Sequence, residues 1–167
     1  MSLLKVVVTS DTHFPGRGKQ LPVPLLQECQ SADLIIHAGD WVSIDVYRRL
    51  AECAEVIGVH GNMDDERIRD QFREKELVRI KGFDIGVVHG HGENKTTEKR
   101  ALEAFEGNDP DIIIFGHSHI PMIRYFNKVM LMNPGSPADK RRLPYFSYGI
   151  LHIEEKGFRA EIVTFGK

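Results

Sequence analysis

Short apolar runs punctuated by glycine and by polar clusters set the rhythm of this chain. Five runs share one design: "LLKVVVTSDTH" ends in Asp11 and His13, "ADLIIHAGD" in Asp40, "AEVIGVHGNMD" in Gly61-Asn62, "FDIGVVHGH" at His89, and "PDIIIFGHSH" in His117 and His119. Nearly continuous Val/Ile runs of this length predict strands buried on both faces, as in layered α/β proteins. Helical spacing fills the gaps. Leu21 to Gln30 is one such segment, and "SIDVYRRLAEC" has Ser43 as N-cap and apolar positions at Val46, Leu50 and Cys53. "DERIRDQFREKE" predicts an amphipathic, heavily charged helix, and "TTEKRALEAFEG" one that stops at Gly107. Towards the end the texture turns to β-hairpins: "MIRYFNKVMLMNPGS", turning at Asn127-Lys128, and "YFSYGILHIEEKGFRAEIVTF", turning around Glu155 to Gly157. "ELVRIKGFDIGVVHG" predicts a third, turning at Gly82.

Composition narrows the reading. A length of 167 residues suits one domain over 1–167, with 41% hydrophobic and 28% charged residues, as in ordinary globular chains. A net charge of −2 with no long basic stretch argues against an electrostatic grip on nucleic acid. Cys29 and Cys53 form no CxxC pair, which disfavours a thiolate zinc site and a disulfide framework. No apolar run reaches membrane-span length and no signal-peptide pattern stands at the start, so the expected location is the cytoplasm.

The polar residues concentrate where the strands end, and in open α/β sheets ligands bind at the carboxyl ends of strands. Asp11, His13, Asp40, Asn62, His89, His117 and His119 make two carboxylates, one amide and four imidazoles. That is too many for one tetrahedral ion but suits two ions sharing a carboxylate. Histidine and carboxylate without thiolate favour Mn, Fe, Co, Ni or Zn over Ca or Mg. Two such ions about 3.5–4 Å apart form the clamp used in phosphoryl hydrolysis, polarising phosphate and acidifying a bridging water. The neighbouring glycines, Gly39, Gly61, Gly90 and Gly116, would permit tight turns or close approach at a crowded centre.

In this order, "SDTH", "GD", "GNMD", "HGH" and "GHSH" resemble the calcineurin-like metallophosphoesterase superfamily. "NPGS" at Asn133 to Ser136 and the small size point to its compact prokaryotic phosphodiesterase branch, whose fold the retromer subunit shares. The resemblance implies a four-layer α/β/β/α sandwich of the metallo-dependent phosphatase type. It implies that Asp11, His13 and His119 hold one metal, that Asn62, His89 and His117 hold the other, and that Asp40 bridges. The cofactors implied are two divalent transition-metal ions, manganese foremost, with Ni, Co, Fe or Zn as alternatives. The activity implied is hydrolysis of a small phosphodiester by a metal-bridging hydroxide, with Asp40, Asn62, His89 and His91 as catalytic residues. The two imidazoles of "GHSH" would serve different metals, because residues i and i+2 leaving a strand point to one side.

One position departs from the pattern. Many members carry a histidine directly after the "GN" asparagine to protonate the leaving group, and here that position is Met63. Substrates with good leaving groups would then be favoured, with His60 and His91 as other candidate donors. The alternatives are a non-catalytic protein-binding scaffold of the same fold, a phosphomonoesterase, or a nuclease. No membrane partner is expected, and a homo-oligomer is left open. His37 and His152 read as structural, and Arg141 and Arg142 as solvated or as phosphate contacts. Trp41 reads as site wall or core, and Asp64 and Asp65 as caps of the following helix.

Overall fold

Alternate residues of the central strands point into different cores, and this splits the molecule into layers. The computed structural model describes residues 3–15 and 20–166. One sheet holds β1 (Leu4–Thr9), β2 (Leu34–His37), β3 (Glu55–Gly58), β9 (Phe146–Glu154) and β10 (Gly157–Phe165), in the order β10-β9-β1-β2-β3. The other holds β4 (Lys75–Ile80), β5 (Phe83–Val88), β6 (Ile112–Ile114), β7 (Met122–Phe126) and β8 (Val129–Asn133), in the order β4-β5-β6-β8-β7. Val6 and Val8 of β1 face the second sheet, meeting Ile85, Val87, Ile112, Ile114 and Met132 in the central core. Val7, one residue out of phase, faces the opposite way with Ile35, against Leu25, Cys29, Val46, Leu50 and Ile68. Those residues come from α1 (Val23–Gln30), α2 (Ile44–Ala51) and α3 (Glu66–Gln71). On the far face of the second sheet, Ile113 and Leu131 meet Ala101 and Phe105, where α4 (Thr97–Ala104) packs. The period-2 alternation thus builds the expected α/β/β/α sandwich.

Each sheet contains a parallel trio: β1, β2 and β3 in the first, β5, β6 and β8 in the second. All seven of the residues singled out at strand ends follow the carboxyl ends of β1, β2, β3, β5 and β6. Ser43 caps α2 by accepting from the Asp45 amide, and Thr96 caps α4 by accepting from the Lys99 amide. The three hairpins turn where expected, with Asn127, Lys81 and Gly82 all at positive φ. Among the described residues no helix is long and apolar enough to cross a membrane.

One element is shorter than its sequence predicts. The helical pattern of Asp65 to Glu76 ends at Gln71, because Phe72 leaves the helix in an extended conformation (φ −124, ψ 144) and stacks on Trp41 with ring centroids 4.5 Å apart. The Arg73 carbonyl then accepts from the His60 amide, and Lys75 starts β4 in antiparallel register with Val88. Tertiary packing overrides a charged, helix-favouring local sequence.

Candidate metal centre

The loops after β1, β2, β5 and β6 bring their side chains to one point. Asp11 Oδ1 lies 3.6 Å from His13 Nε2, 3.4 Å from His119 Nε2 and 3.7 Å from His89 Nε2. Asp40 Oδ2 lies 3.6 Å from His13 Nε2 and 3.2 Å from His89 Nε2. Most of these spacings are too long for good hydrogen bonds. They match donors around a shared ion, since metal–ligand distances of about 2.0–2.2 Å place neighbouring ligand atoms roughly 3–3.6 Å apart. Asp11 Oδ1, His13 Nε2 and His89 Nε2 are all buried without a hydrogen-bond partner. Orphaned buried polar atoms are costly, so three converging on one point fit a cation-binding centre. Among the described residues two groups have the geometry to hold an ion: Asp11 with His13 and His119, and Asp11 with Asp40 and His89.

Each carboxylate fastens one oxygen to the protein and leaves the other facing the imidazoles. Asp11 Oδ2 accepts from Ser10 Oγ at 2.7 Å and from the His117 amide at 3.0 Å. Asp40 Oδ1 accepts from the Met63 amide at 2.9 Å. The imidazoles are oriented in the same way. His89 Nδ1 donates to the Ala38 carbonyl at 2.8 Å and His119 Nδ1 to the Asp139 carbonyl at 2.7 Å, turning each Nε2 towards the carboxylates. Burial pushes the Asp11 carboxyl up, but His89, His119 and His13 outweigh it and hold it well below the usual range. Burial likewise pushes Asp40 up and His89 brings it down on balance. His89 is depressed by burial, yet Asp11 and Asp40 prevail and raise it to about 9. A centre that draws a proton onto a buried imidazole favours positive charge, which a divalent ion would supply.

Backbone strain is concentrated here. Asp11 (φ 55), His13 (φ 44), Asp40 (φ 59), His117 (φ 68) and His119 (φ 63) all adopt the left-handed conformation. Asp and His tolerate it better than most residues, but such clusters persist only where surrounding contacts enforce them. The "GHSH" segment is therefore a tight turn and not a continuing strand, because β6 ends at Ile114. Turn geometry, not the one-sided spacing of a strand, sets its imidazoles: the His119 ring lies 5.2 Å from His13 and the His117 ring 5.2 Å from His89. Gly116 leaves the room for this, since a Cβ there would stand 2.0 Å from Ser10 Oγ and 2.7 Å from Asp11 Oδ2. At Gly61 it would stand 2.2 Å from Asp40 Oδ1.

Asn62 is exposed and lines a cleft of about 430 Å³ with His13, Asp40, Met63, His117 and His119. Met63, 58% exposed, is thus part of the cleft wall. His91 is half-buried, its ring 5.6 Å from His89 and 6.4 Å from His117, but it does not line the cleft. Nor does His60, whose Nδ1 lies 3.4 Å from the Gly61 carbonyl. His37 is a core residue: Nδ1 accepts from the Gly39 amide and Nε2 meets Thr12 Oγ1 at 3.1 Å. Trp41 is core as well, fully buried, stacked on His37 and donating to the Val59 carbonyl. His152 sits in β9 with Glu161 of β10 at 3.9 Å.

Three residues with positional roles lay beyond sequence reasoning. Asp65 caps α3, accepting from the Ile68 amide, but Asp64 does not. Its carboxylate accepts from the backbone amides of Asp40 (2.9 Å), Gly61 (2.6 Å) and Val42 (2.7 Å), clasping the β2 and β3 loops together. Ser136 donates to the Asp11 carbonyl at 2.7 Å and accepts from the Asp139 amide at 2.9 Å. Asn133 donates to the Gly116 carbonyl at 3.0 Å. "NPGS" was the available signal for the last two, since its fixed turn chemistry beside ligand loops implies a structural grip.

Comparison with known proteins gives the family. The family model of the calcineurin-like phosphoesterase superfamily domain matches residues 4–156. A probable metallophosphoesterase of Methanothermobacter thermautotrophicus is 36% identical over 161 residues, covering 95% of this chain and 91% of its own. A phosphodiesterase of Methanocaldococcus jannaschii is 28% identical, covering 96% of this chain and 99% of its own. Among solved structures, the Vps29 single mutant of Entamoeba histolytica superposes with a TM-score of 0.76 at 24% identity, covering 98% of this chain and 100% of its own. With the ordered motifs on one layered fold and a family match over nearly the whole chain, this protein belongs to the calcineurin-like phosphoesterase superfamily.

Proposed function

We propose that the protein is a metal-dependent phosphodiesterase acting on small phosphodiesters in the cytoplasm. In this reading Asp11, His13 and His119 hold one divalent ion, Asn62, His89 and His117 hold a second, and Asp40 is shared. The observation that carries it is the convergence of three buried, unpartnered donors, Asp11 Oδ1, His13 Nε2 and His89 Nε2. Asp40 Oδ2 supports the sharing, because it lies within 3.6 Å of an imidazole from each set. Bound ions, manganese foremost, would polarise the phosphoryl oxygens and acidify water.

The protein's own groups do the positioning. The Ala38 and Asp139 carbonyls keep the Nδ1 protons of His89 and His119, so Nε2 of each stays available. The Met63 amide holds Asp40 at the centre while the Met63 side chain forms cleft wall. No imidazole is among the wall residues contributed by the β3 loop, Asn62 and Met63, so proton delivery to a leaving group from that side is lacking. General acid catalysis contributes typically about 10²–10⁴-fold, so esters with good leaving groups should be favoured. His91, unpartnered at Nδ1 beside His89 and His117, is the remaining candidate to relay a proton from behind the ligands. Against a protein-binding scaffold of the same fold stands the complete set of two carboxylates and four imidazoles.

The test is hydrolysis by metal-stripped protein reloaded separately with Mn, Ni, Co, Mg and Zn. Bis(p-nitrophenyl) phosphate should be cleaved much faster than alkyl phosphomonoesters, with activity restored best by the transition metals. A strong preference for alkyl monoesters would contradict the phosphodiesterase reading.

A further inference from the structure

The cleft over the metal centre does not end at the candidate ligands. Arg141 lines it and also lines an adjoining hollow of about 260 Å³, which shares His119 with the cleft. The hollow's other walls are Ser118, Ile120, Lys140, Arg142 and Leu143, with no carboxylate among them. The Lys140 ammonium lies 4.8 Å over the Phe146 ring, and the two guanidiniums add their positive charge to the same hollow. Arg141 spends one contact on the Ser118 carbonyl, at 3.4 Å. Among the described residues no hydrogen bond or ion pair engages the Arg142 guanidinium, and neither arginine meets a carboxylate in an ion pair.

Solvated arginine pairs are common on surfaces, and position is what separates this one. Arg141 holds a left-handed backbone (φ 51), uncommon for a bulky side chain. Its amide donates to Asp139 Oδ1 at 3.2 Å, and the Asp139 carbonyl is the group that orients His119. Ser136 ties the same turn to the Asp11 backbone. The backbone of the turn carrying both arginines is thus fastened to the candidate ligands themselves, and guanidinium forks suit phosphate oxygens.

We infer that this hollow binds a second anionic group of the substrate, a phosphate within about one nucleotide's reach of the phosphate at the metal centre. The inference rests on the phosphoesterase reading above and deepens it: preferred substrates are nucleotide-sized phosphoesters carrying a further phosphate. A polymer is not called for, because the net charge is −2 and the sequence has no long basic stretch to track one.

Binding tests this independently of turnover. Manganese-loaded protein is titrated calorimetrically, at low ionic strength, with thymidine 5′-phosphate and with thymidine 3′,5′-bisphosphate. The bisphosphate should bind up to about tenfold more tightly, the upper order expected from two exposed charge contacts at low ionic strength. In the Arg141→Ala/Arg142→Ala double variant the ratio of affinities should fall to near one, with the circular dichroism and melting profile retained. Single Arg142→Ala, outside the reaction cleft, should lose part of the ratio. A ratio near one in the wild type, or an unchanged ratio in the double variant, would overturn the inference. If aryl diesters prove inert while the ratio holds, the phosphodiesterase reading fails and the anion site stands. If aryl diesters are hydrolysed but the ratio is near one, the anion site fails and the phosphodiesterase reading stands.

Discussion

Asp64 shows how much one carboxylate can organise. It holds the amides of Asp40, Gly61 and Val42, although burial pushes its own carboxyl up. Val42 depends on it, since a β-branched residue at φ 79 is a true outlier that needs holding. Removing an acceptor from buried donors costs about 1–3 kcal/mol each. Asp64→Ala should therefore lower unfolding free energy by roughly 3 kcal/mol or more and weaken metal binding, whereas Asp65→Ala loses one N-cap, about 1 kcal/mol. Denaturant titration of the two variants checks the contrast, and equal losses would contradict it. His37 gives a pH prediction. Burial holds its folded pKa down at about 3, while the unfolded chain protonates near the ordinary value of about 6.5. The unfolded state thus binds the extra proton, so this residue erodes stability as pH falls from about 6.5 towards 3, by up to about 1.4 kcal/mol per unit. His37→Gln should reduce the acid slope of unfolding free energy by close to one proton; an unchanged slope would refute the assignment. The candidate site residues were nameable from sequence because each lies just beyond an apolar run. Asp64 was not, because its partners are backbone amides, and two of them lie more than twenty residues away.

At the scale of elements, what matters is how one turn is tied to another. The β8–β9 connection carries Ser136, whose hydroxyl donates to the Asp11 carbonyl across 125 residues of sequence. Ser136→Ala would leave that carbonyl and the Ala138 and Asp139 amides without their shared partner. We expect a loss of about 1–3 kcal/mol in stability and a fall in kcat/KM on an aryl diester that exceeds what unfolding explains at the assay temperature. Unaltered kinetics would mean that the turn does not set ligand geometry. The strands, their hairpin turns and three of the four helices follow the sequence pattern, because period and capping are local properties. The shortened α3 escaped it: Glu, Arg and Lys favour a helix through Glu76, but Phe72 gains more from stacking on Trp41, a residue it meets only in the fold. The left-handed turn at His117 and His119 escaped it for the same kind of reason, since the amide of His117 is bent towards Asp11 Oδ2, 106 residues earlier.

For the molecule as a whole, two sheets bring their parallel strand ends to one edge, and two buried carboxylates face imidazoles across spacings of 3.2–3.7 Å. That arrangement is costly unless cations balance it, since like charges buried together repel and Asp11 and Asp40 share one centre. The proposed phosphodiesterase action would draw on two such ions, with Asp40 shared between them. The most direct measurement is elemental analysis of protein stripped with a chelator, reloaded with manganese and desalted, for the wild type and Asp40→Ala side by side. We expect close to two ions per chain in the wild type, a loss of most metal in Asp40→Ala with the fold retained, and phosphodiesterase activity tracking the metal. No more than trace metal in the reloaded wild type, or full occupancy in Asp40→Ala, would contradict the shared two-metal centre.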